Sequence, residues 1–111
     1  MIFQYELKDN SLRVMVPKEL DHHSSIDLRS QTDMLLQTYH VKNLVFDFKD
    51  TEFMDSSGIA VILKTDRLLR QTGGALALCG VPRQVRRVLD VAGLTNIVPV
   101  LEDRAKECEQ C

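Results

Sequence analysis

Two adjacent serines between a strand-like run and a helix-like run constrain this chain more than any other feature. The segment 53–59 reads FMDSSGI, and the apolar runs 44–48 (LVFDF) and 59–63 (IAVIL) flank it. This pattern predicts that Ser56 and Ser57 lie where a strand ends and a helix begins. The first N–H groups of a helix lack partners and the helix dipole is positive there, so a hydroxyl can cap the helix and a phosphate can be accommodated. The pair therefore holds a candidate site for regulation by phosphorylation.

The composition fits a single domain over residues 1–111. The chain has 111 residues, 44% of them hydrophobic, which is enough for one continuous core. Its formal net charge of −2 provides no global basic field to attract nucleic acid or anionic lipid. The apolar stretches are far shorter than the roughly 20 residues of a membrane-spanning helix, and the first residues lack the features of a signal peptide. We therefore expect a cytoplasmic protein that binds neither nucleic acid nor membrane.

The hydrophobic periodicity predicts strands and helices in the order β-β-α-β-α-β-α-β-α. The predicted strands are residues 2–7, 11–16, 43–48, 75–79 and 97–100, and the predicted helices are about 24–39, 57–72, 82–93 and 102–111. Asp9 and Asn10 are turn residues, so the first two strands form a hairpin, and Gly73 provides a left-handed stop after the second helix. This order implies an α/β fold with a mixed, mostly parallel sheet of about five strands and four helices packed against it.

Three short motifs at domain-scale spacing resemble those of one bacterial family. They are ELDHH at 19–23, DSSG within 53–59, and VAGL at 91–94. In this combination the chain resembles the STAS-domain anti-sigma factor antagonists over nearly its whole length. Within that family it is most similar to the sporulation group, the anti-sigma F factor antagonists. The resemblance implies the STAS fold. The chain departs from the usual sequence pattern of the family only in the Pro17-Lys18 pair before the first motif.

The resemblance also implies a regulatory switch at Ser56. In that family, the serine directly after the aspartate is phosphorylated by the anti-sigma factor, which is itself an ATP-dependent serine kinase. The unphosphorylated form binds that kinase and releases a sigma factor, phosphorylation switches the binding off, and a serine phosphatase restores it. The ATP and Mg²⁺ of this reaction belong to the partner, since the chain has no Walker-type phosphate loop or dinucleotide fingerprint. We therefore expect a binding protein without cofactor or metal, and not an enzyme.

The residues expected around Ser56 have structural as well as functional interpretations. Asp21 and Asp55 could each cap a helix or contact the partner, and either serine of the pair could be the cap. In a sheet of this topology the loop of Asp21 and the loop of Ser56 can lie at the same edge, and His22 and His23 would then border the site. The predicted partner-binding residues are Asp21, His22, His23, Asp55, Ser57, Gly58 and Ile59.

Two other chemical functions are weakly supported by the sequence. A Ser-His-Asp hydrolase would need glycine two residues before the serine, where this chain has Met54. The basic cluster Arg83, Arg86 and Arg87 could contact nucleic acid, but stacking aromatic residues are absent around it and a solvated helix face explains it better.

A third alternative keeps the fold and changes the partner, because STAS domains also serve as accessory subunits of stress-signalling or lipid-transport complexes. The terminal Cys108 and Cys111 have a C-x-x-C spacing that can carry redox chemistry or two metal ligands, but a frayed chain end is the simpler interpretation. The sequence is compatible with a monomer or a weak dimer.

Overall fold

The structure is a computed structural model that describes residues 2–101. In chain order its elements are β1 (Tyr5–Lys8), β2 (Ser11–Met15), β3 (Glu19–Leu20), α1 (His22–Thr38), β4 (Asn43–Asp47), β5 (Phe53–Met54), α2 (Ser56–Gln71), β6 (Ala75–Cys79), α3 (Arg83–Val91) and a 3₁₀ turn (Leu94–Asn96). The predicted helix at 102–111, with Cys108 and Cys111, lies outside the described residues.

The main sheet has four strands in the order β1-β2-β4-β6. The strands β1 and β2 form the predicted antiparallel hairpin, and the tight turn places Asp9 at a φ of 57°, a conformation that aspartate tolerates better than most residues. The other neighbours, β2 with β4 and β4 with β6, pair in parallel through the helices α1 and α2 that connect them. A mixed, mostly parallel sheet is therefore confirmed.

One face of this sheet and the inner faces of the helices form a single hydrophobic core. Alternate residues of β2, β4 and β6 are buried, as expected for strands with one fully covered face. The core includes Leu12, Val14, Leu44, Phe46, Leu76 and Leu78 from the sheet, with Leu28, Leu35, Val61, Ile62, Leu69, Val85 and Leu89 from the helices. The apolar arc of α2 faces inward, and Gly73, at a φ of 80°, ends that helix as predicted.

The predicted strand at 97–100 is wrong. Only Val100 bridges to the sheet, opposite Leu78, and the preceding residues form the 3₁₀ turn instead. The N–H of Val98 is used inside that turn, donating to Leu94 at 2.9 Å, and Pro99 has no N–H to offer. The pairing of this segment with β6 is therefore limited to two hydrogen bonds with Leu78.

The predicted element count also needs correction. Residues 2–101 contain three α-helices rather than four, since the fourth predicted helix falls outside this range. They contain six strands rather than about five, because β3 and β5 form a separate two-stranded sheet that the sequence did not predict. This small sheet positions the candidate site.

Candidate functional site

Two strand-aspartate-helix units lie side by side at one end of the fold. The strands β3 and β5 pair in parallel, with Leu20 opposite Met54, and the N–H of Asp55 donates to the carbonyl of Leu20 at 3.2 Å. Asp21 and Asp55 directly follow these paired strands and begin α1 and α2. The prediction that the loop of Asp21 and the loop of Ser56 share one edge is therefore confirmed.

The two loops that lead into these strands are tied to each other. The Thr51 hydroxyl donates to the carbonyl of Pro17 at 2.9 Å, and the N–H of Glu52 donates to the carbonyl of Lys18 at 2.7 Å. Thr51 is buried, so the bond from its hydroxyl is shielded from competition with water. The starts of α1 and α2 are thus positioned relative to one another by one bond from a buried side chain and one bond between backbone groups.

The N-terminus of α1 is closed by a capping box. Asp21 accepts the N–H of Ser24 at 3.0 Å, and the Ser24 Oγ accepts the N–H of Asp21 at 2.9 Å. The buried Ser24 hydroxyl also contacts the carbonyl of Glu19 at 2.7 Å. The backbone N–H of Ser24, and then its hydroxyl, lower the pKa of Asp21 because they stabilise the charged carboxylate. Asp21 is therefore a structural cap, whatever it contacts in a partner.

The N-terminus of α2 has the same aspartate cap but leaves Ser56 exposed. Asp55 Oδ1 accepts the N–H of Ser57 at 2.8 Å, so the expectation that a serine of the pair could cap the helix is wrong. Ser56 is the first residue of α2, and its hydroxyl makes no hydrogen bond within residues 2–101. Ser57 follows it and is half-buried. The fold therefore does not use the Ser56 hydroxyl.

Gly58 and Ile59 turn toward the interior rather than toward solvent. Gly58 is buried, and a Cβ added to it would lie 2.6 Å from Met54 Cγ and 2.7 Å from Leu20 Cδ2. The absent side chain allows α2 to pack closely on β3 and β5. Ile59 is half-buried and packs on the core. A partner contact through either residue stays a prediction.

The two histidines follow the Asp21 cap at the start of α1. His22 and His23 are both exposed at the start of α1, with ring centroids 6.1 Å apart in an edge-on arrangement. Within the described part of the chain, no hydrogen bond joins the Ser56 hydroxyl to either ring. The arrangement that a Ser-His-Asp hydrolase requires is therefore not formed here, since the carboxylate of Asp21 is engaged by Ser24 instead.

A groove between α1 and α2 begins at this site, and the sequence did not predict it. Its volume is about 300 Å³, and we call it the interhelical groove. The lining residues are His22, Ser25, Ile26, Arg29, Ser57, Ala60, Val61 and Lys64. They recur every three to four positions on both helices, which is the signature of a helix face. Periodicity could reveal each face, but only the packing of α1 on α2 shows that the two faces meet.

The described residues offer neither a metal-binding cluster nor a membrane-spanning helix. No group of three or more histidine, cysteine, aspartate or glutamate side chains within 2–101 could hold a metal ion. None of the helices in this range combines the length and the apolar character needed to cross a membrane.

Comparison with known proteins identifies the family. Residues 3–107 match the STAS domain. Over 92 residues, which are 83% of this chain and 79% of the relative, the sequence is 41% identical to the anti-sigma F factor antagonist of Paenibacillus polymyxa.

Two solved structures have the same fold as this chain. The anti-sigma factor antagonist SpoIIAA in its unphosphorylated form superposes with a TM-score of 0.83 at 26% identity, covering 96% of this chain and 92% of SpoIIAA. The Bacillus cell fate determinant SpoIIAA in its phosphorylated form superposes with a TM-score of 0.75 at 24% identity, covering 98% and 97% of the two chains.

The chain therefore belongs to the STAS-domain family and, within it, to the anti-sigma factor antagonists. This confirms the predicted class, a regulatory binding protein rather than an enzyme.

Proposed function

We propose that the unphosphorylated chain binds an anti-sigma factor with serine kinase activity and thereby releases a sigma factor. Phosphorylation of Ser56 by that kinase ends the binding, and a serine phosphatase restores it. All of these partners act in the cytoplasm, where we also place this chain. The observation that carries the proposal is the exposed Ser56 hydroxyl, which the fold does not use although it stands at the first position of a 16-residue helix.

The position of Ser56 suits reversible modification because the folded domain tolerates an anion there. A phosphate adds about −1.5 to −2 charges, and the unpaired N–H groups and positive dipole at the start of α2 favour it. Asp55 beside it acts in the opposite direction through like-charge repulsion. These effects are local, so we expect the backbone of the phosphorylated domain to stay close to that of the unphosphorylated one.

At an interface the same phosphate has a much larger effect. Its charge must be desolvated and its volume must fit where a hydroxyl fitted, so the complex loses affinity even though the domain stays folded. A loss of about 3 kcal/mol weakens binding more than a hundredfold. SpoIIAA has been solved in an unphosphorylated form and in a phosphorylated form with the same overall fold, which supports a switch of this local kind.

The predicted contact surface surrounds Ser56 on both helices. His22 and His23 are exposed, and Asp21, Asp55 and Ser57 are partly exposed around the two N-termini. We propose that these residues contact the kinase together with Ser56, because the pairing of β3 with β5 holds them at one end of the fold.

The test measures kinase binding and phosphate incorporation in matched variants. Ser56→Ala should bind the kinase with nearly wild-type affinity and accept no phosphate, whereas Ser56→Glu should bind more than a hundredfold more weakly. Ser30→Glu is the control, since Ser30 is exposed on the same domain at α1 but away from the two helix N-termini. Phosphorylation of Ser56→Ala at the wild-type rate would refute the site, and undiminished binding of Ser56→Glu would refute the interface block.

A further inference from the structure

The interhelical groove contains a buried hydroxyl that the fold does not satisfy. Ser25 on α1 is only 4% exposed, and its Oγ has no hydrogen-bond partner within residues 2–101. Burial of an unpaired hydroxyl destabilises a fold, so such groups are uncommon and call for an explanation. Thr32 and Thr65 are unpaired in the same way, but neither lines this groove. Ser25 differs from them because its surroundings open to solvent between the two helices.

The charges along the groove are of one sign. Lys64 on α2 is exposed and makes no ion pair within the described residues, and Arg29 on α1 has only a long contact of 3.7 Å to Asp33. No aspartate or glutamate lines the groove. A negatively charged group entering between the helices would therefore meet two cations, with no carboxylate among the residues that line the groove.

Between these cations and the polar N-terminal end with His22 and Ser57, the groove is lined by apolar side chains. Ile26 is 53% exposed, unusually open for an isoleucine on a packed helix, and Ala60 and Val61 lie across from it on α2. A ligand that fits this lining needs apolar surface for the centre, a carboxylate for the cations, and a polar atom for Ser25. A peptide segment with an acidic side chain beside aliphatic ones has these three properties.

We propose that the interhelical groove binds such an acidic, apolar segment of the anti-sigma factor. This inference rests on the proposed function. The carboxylate of the segment lies between Lys64 and Arg29, and a polar atom of the segment pairs with the Ser25 hydroxyl. The groove is continuous with the switch, because Ser57 and His22 line its N-terminal end and Ser56 directly precedes Ser57.

The groove gives the phosphate a second way to oppose binding. A phosphate on Ser56 places negative charge at the N-terminal end of the interhelical groove, which holds the carboxylate of the partner. The two like charges repel each other, and the repulsion is stronger when the interface excludes water. Phosphorylation thus weakens a contact that lies beyond direct reach of the modified side chain.

The first test reverses the charge of Lys64 and uses Arg67 as its matched control. Both residues are exposed on α2, but Arg67 lies outside the groove. In the unphosphorylated state, the Lys64→Glu variant should bind the kinase about tenfold more weakly than wild type, while Arg67→Glu should bind within about twofold of wild type. Equal affinities for the two variants would overturn the proposal.

The second test removes the Ser25 hydroxyl. Ser25→Ala should weaken kinase binding about threefold to tenfold, since one hydrogen bond across the interface is lost, while the melting temperature stays the same or rises. A purely structural role would lower both affinity and melting temperature, and unchanged affinity would also overturn the proposal. Thr65→Val is the control, because it removes an equally unpaired hydroxyl outside the groove and should leave binding unchanged.

The outcomes separate this inference from the proposed function. If Ser56→Glu abolishes binding while Lys64→Glu and Ser25→Ala bind like wild type, the groove proposal fails and the switch stands. If Ser56→Glu binds normally, the switch itself fails. If Lys64→Glu changes only self-association, measured by sedimentation, the occupant is a second copy of this chain and the proposal is overturned.

Discussion

The helices α1 and α2 begin in nearly the same way, but their serines differ. The start of α1 is closed, because Ser24 takes part in its cap, and the start of α2 is open, because the Ser56 hydroxyl takes no part in its cap. Each follows a two-residue strand, and the capping aspartates have almost equal backbone angles, with φ and ψ of −105° and −167° at Asp21 and −108° and −170° at Asp55. The third helical residue differs, being Ser24 in α1 and Gly58 in α2. Ser24 completes a capping box and buries its hydroxyl, whereas Gly58 only brings the helix closer to the strands.

The difference shows how one local design can serve stability in one place and regulation in its neighbour. In α1 the serine is part of the cap, so a modification there would disrupt the fold. In α2 the aspartate caps the helix alone, and Ser56 takes no part in it. A hydroxyl that contributes little to folding can carry a phosphate and lose it again without unfolding the domain.

The largest expected effect concerns which helix start accepts the phosphate. Incubation with the cognate kinase and ATP should add a single phosphate to the wild-type chain and none to Ser56→Ala, since only the α2 start presents an exposed serine hydroxyl at its first position. Intact mass and peptide mapping measure this directly. Phosphate found on Ser24 would show that the closed start is as accessible as the open one, and the comparison would fail.

The next effect tests the tight packing behind the open start. Gly58→Ala should destabilise the domain by about 1–3 kcal/mol, because the new methyl group collides with Leu20 and Met54. The free energy of unfolding in urea measures it. An unchanged unfolding midpoint would mean that the strands relax easily and that close packing does not explain the glycine.

A smaller effect tests the closed start. Ser24→Ala should cost about 1–2 kcal/mol, since the N–H of Asp21 loses its acceptor, whereas Ser56→Ala should change stability by less than about 0.5 kcal/mol. Urea unfolding of the unphosphorylated proteins would measure both changes in the free energy of unfolding. Equal costs for the two substitutions would contradict the division of roles between the helices.

The smallest effect is a pH dependence from the cap of α1. Because the folded-state pKa of Asp21 lies below its ordinary value, its stabilisation is present above that ordinary value and is lost as the pH falls through the folded-state pKa. The stability difference between wild type and Asp21→Asn should therefore shrink on acidification. Unfolding curves from about pH 7 to about pH 3 measure this, and a difference that stays constant would refute the role of the charge.

Much of the fold follows from patterns that are local in the sequence. The hairpin turn at Asp9, the strand at Ala75–Cys79 and the glycine stop after α2 were predictable, because each depends on turn chemistry or on hydrophobic spacing over a few residues. The strands β3 and β5 were not predicted, because a strand of two residues is too short to show the alternation of apolar and polar residues. The predicted strand at 97–100 failed because local hydrogen bonds of the turn used its N–H groups first.

The candidate site divides along the same line. The sequence by itself determined that Ser56 and Ser57 lie beside an aspartate where a strand ends and a helix begins, because helix-start chemistry is written in consecutive residues. Its motifs also resemble those of the anti-sigma factor antagonists, the class to which the chain belongs. The choice of Asp55 as the cap is local too, but the sequence left it open between Asp55 and the two serines. Only the tertiary structure decided that Gly58 is buried and that the faces of α1 and α2 enclose a groove. These features depend on which surfaces meet across the fold, and burial and contact between distant residues leave no period in the chain.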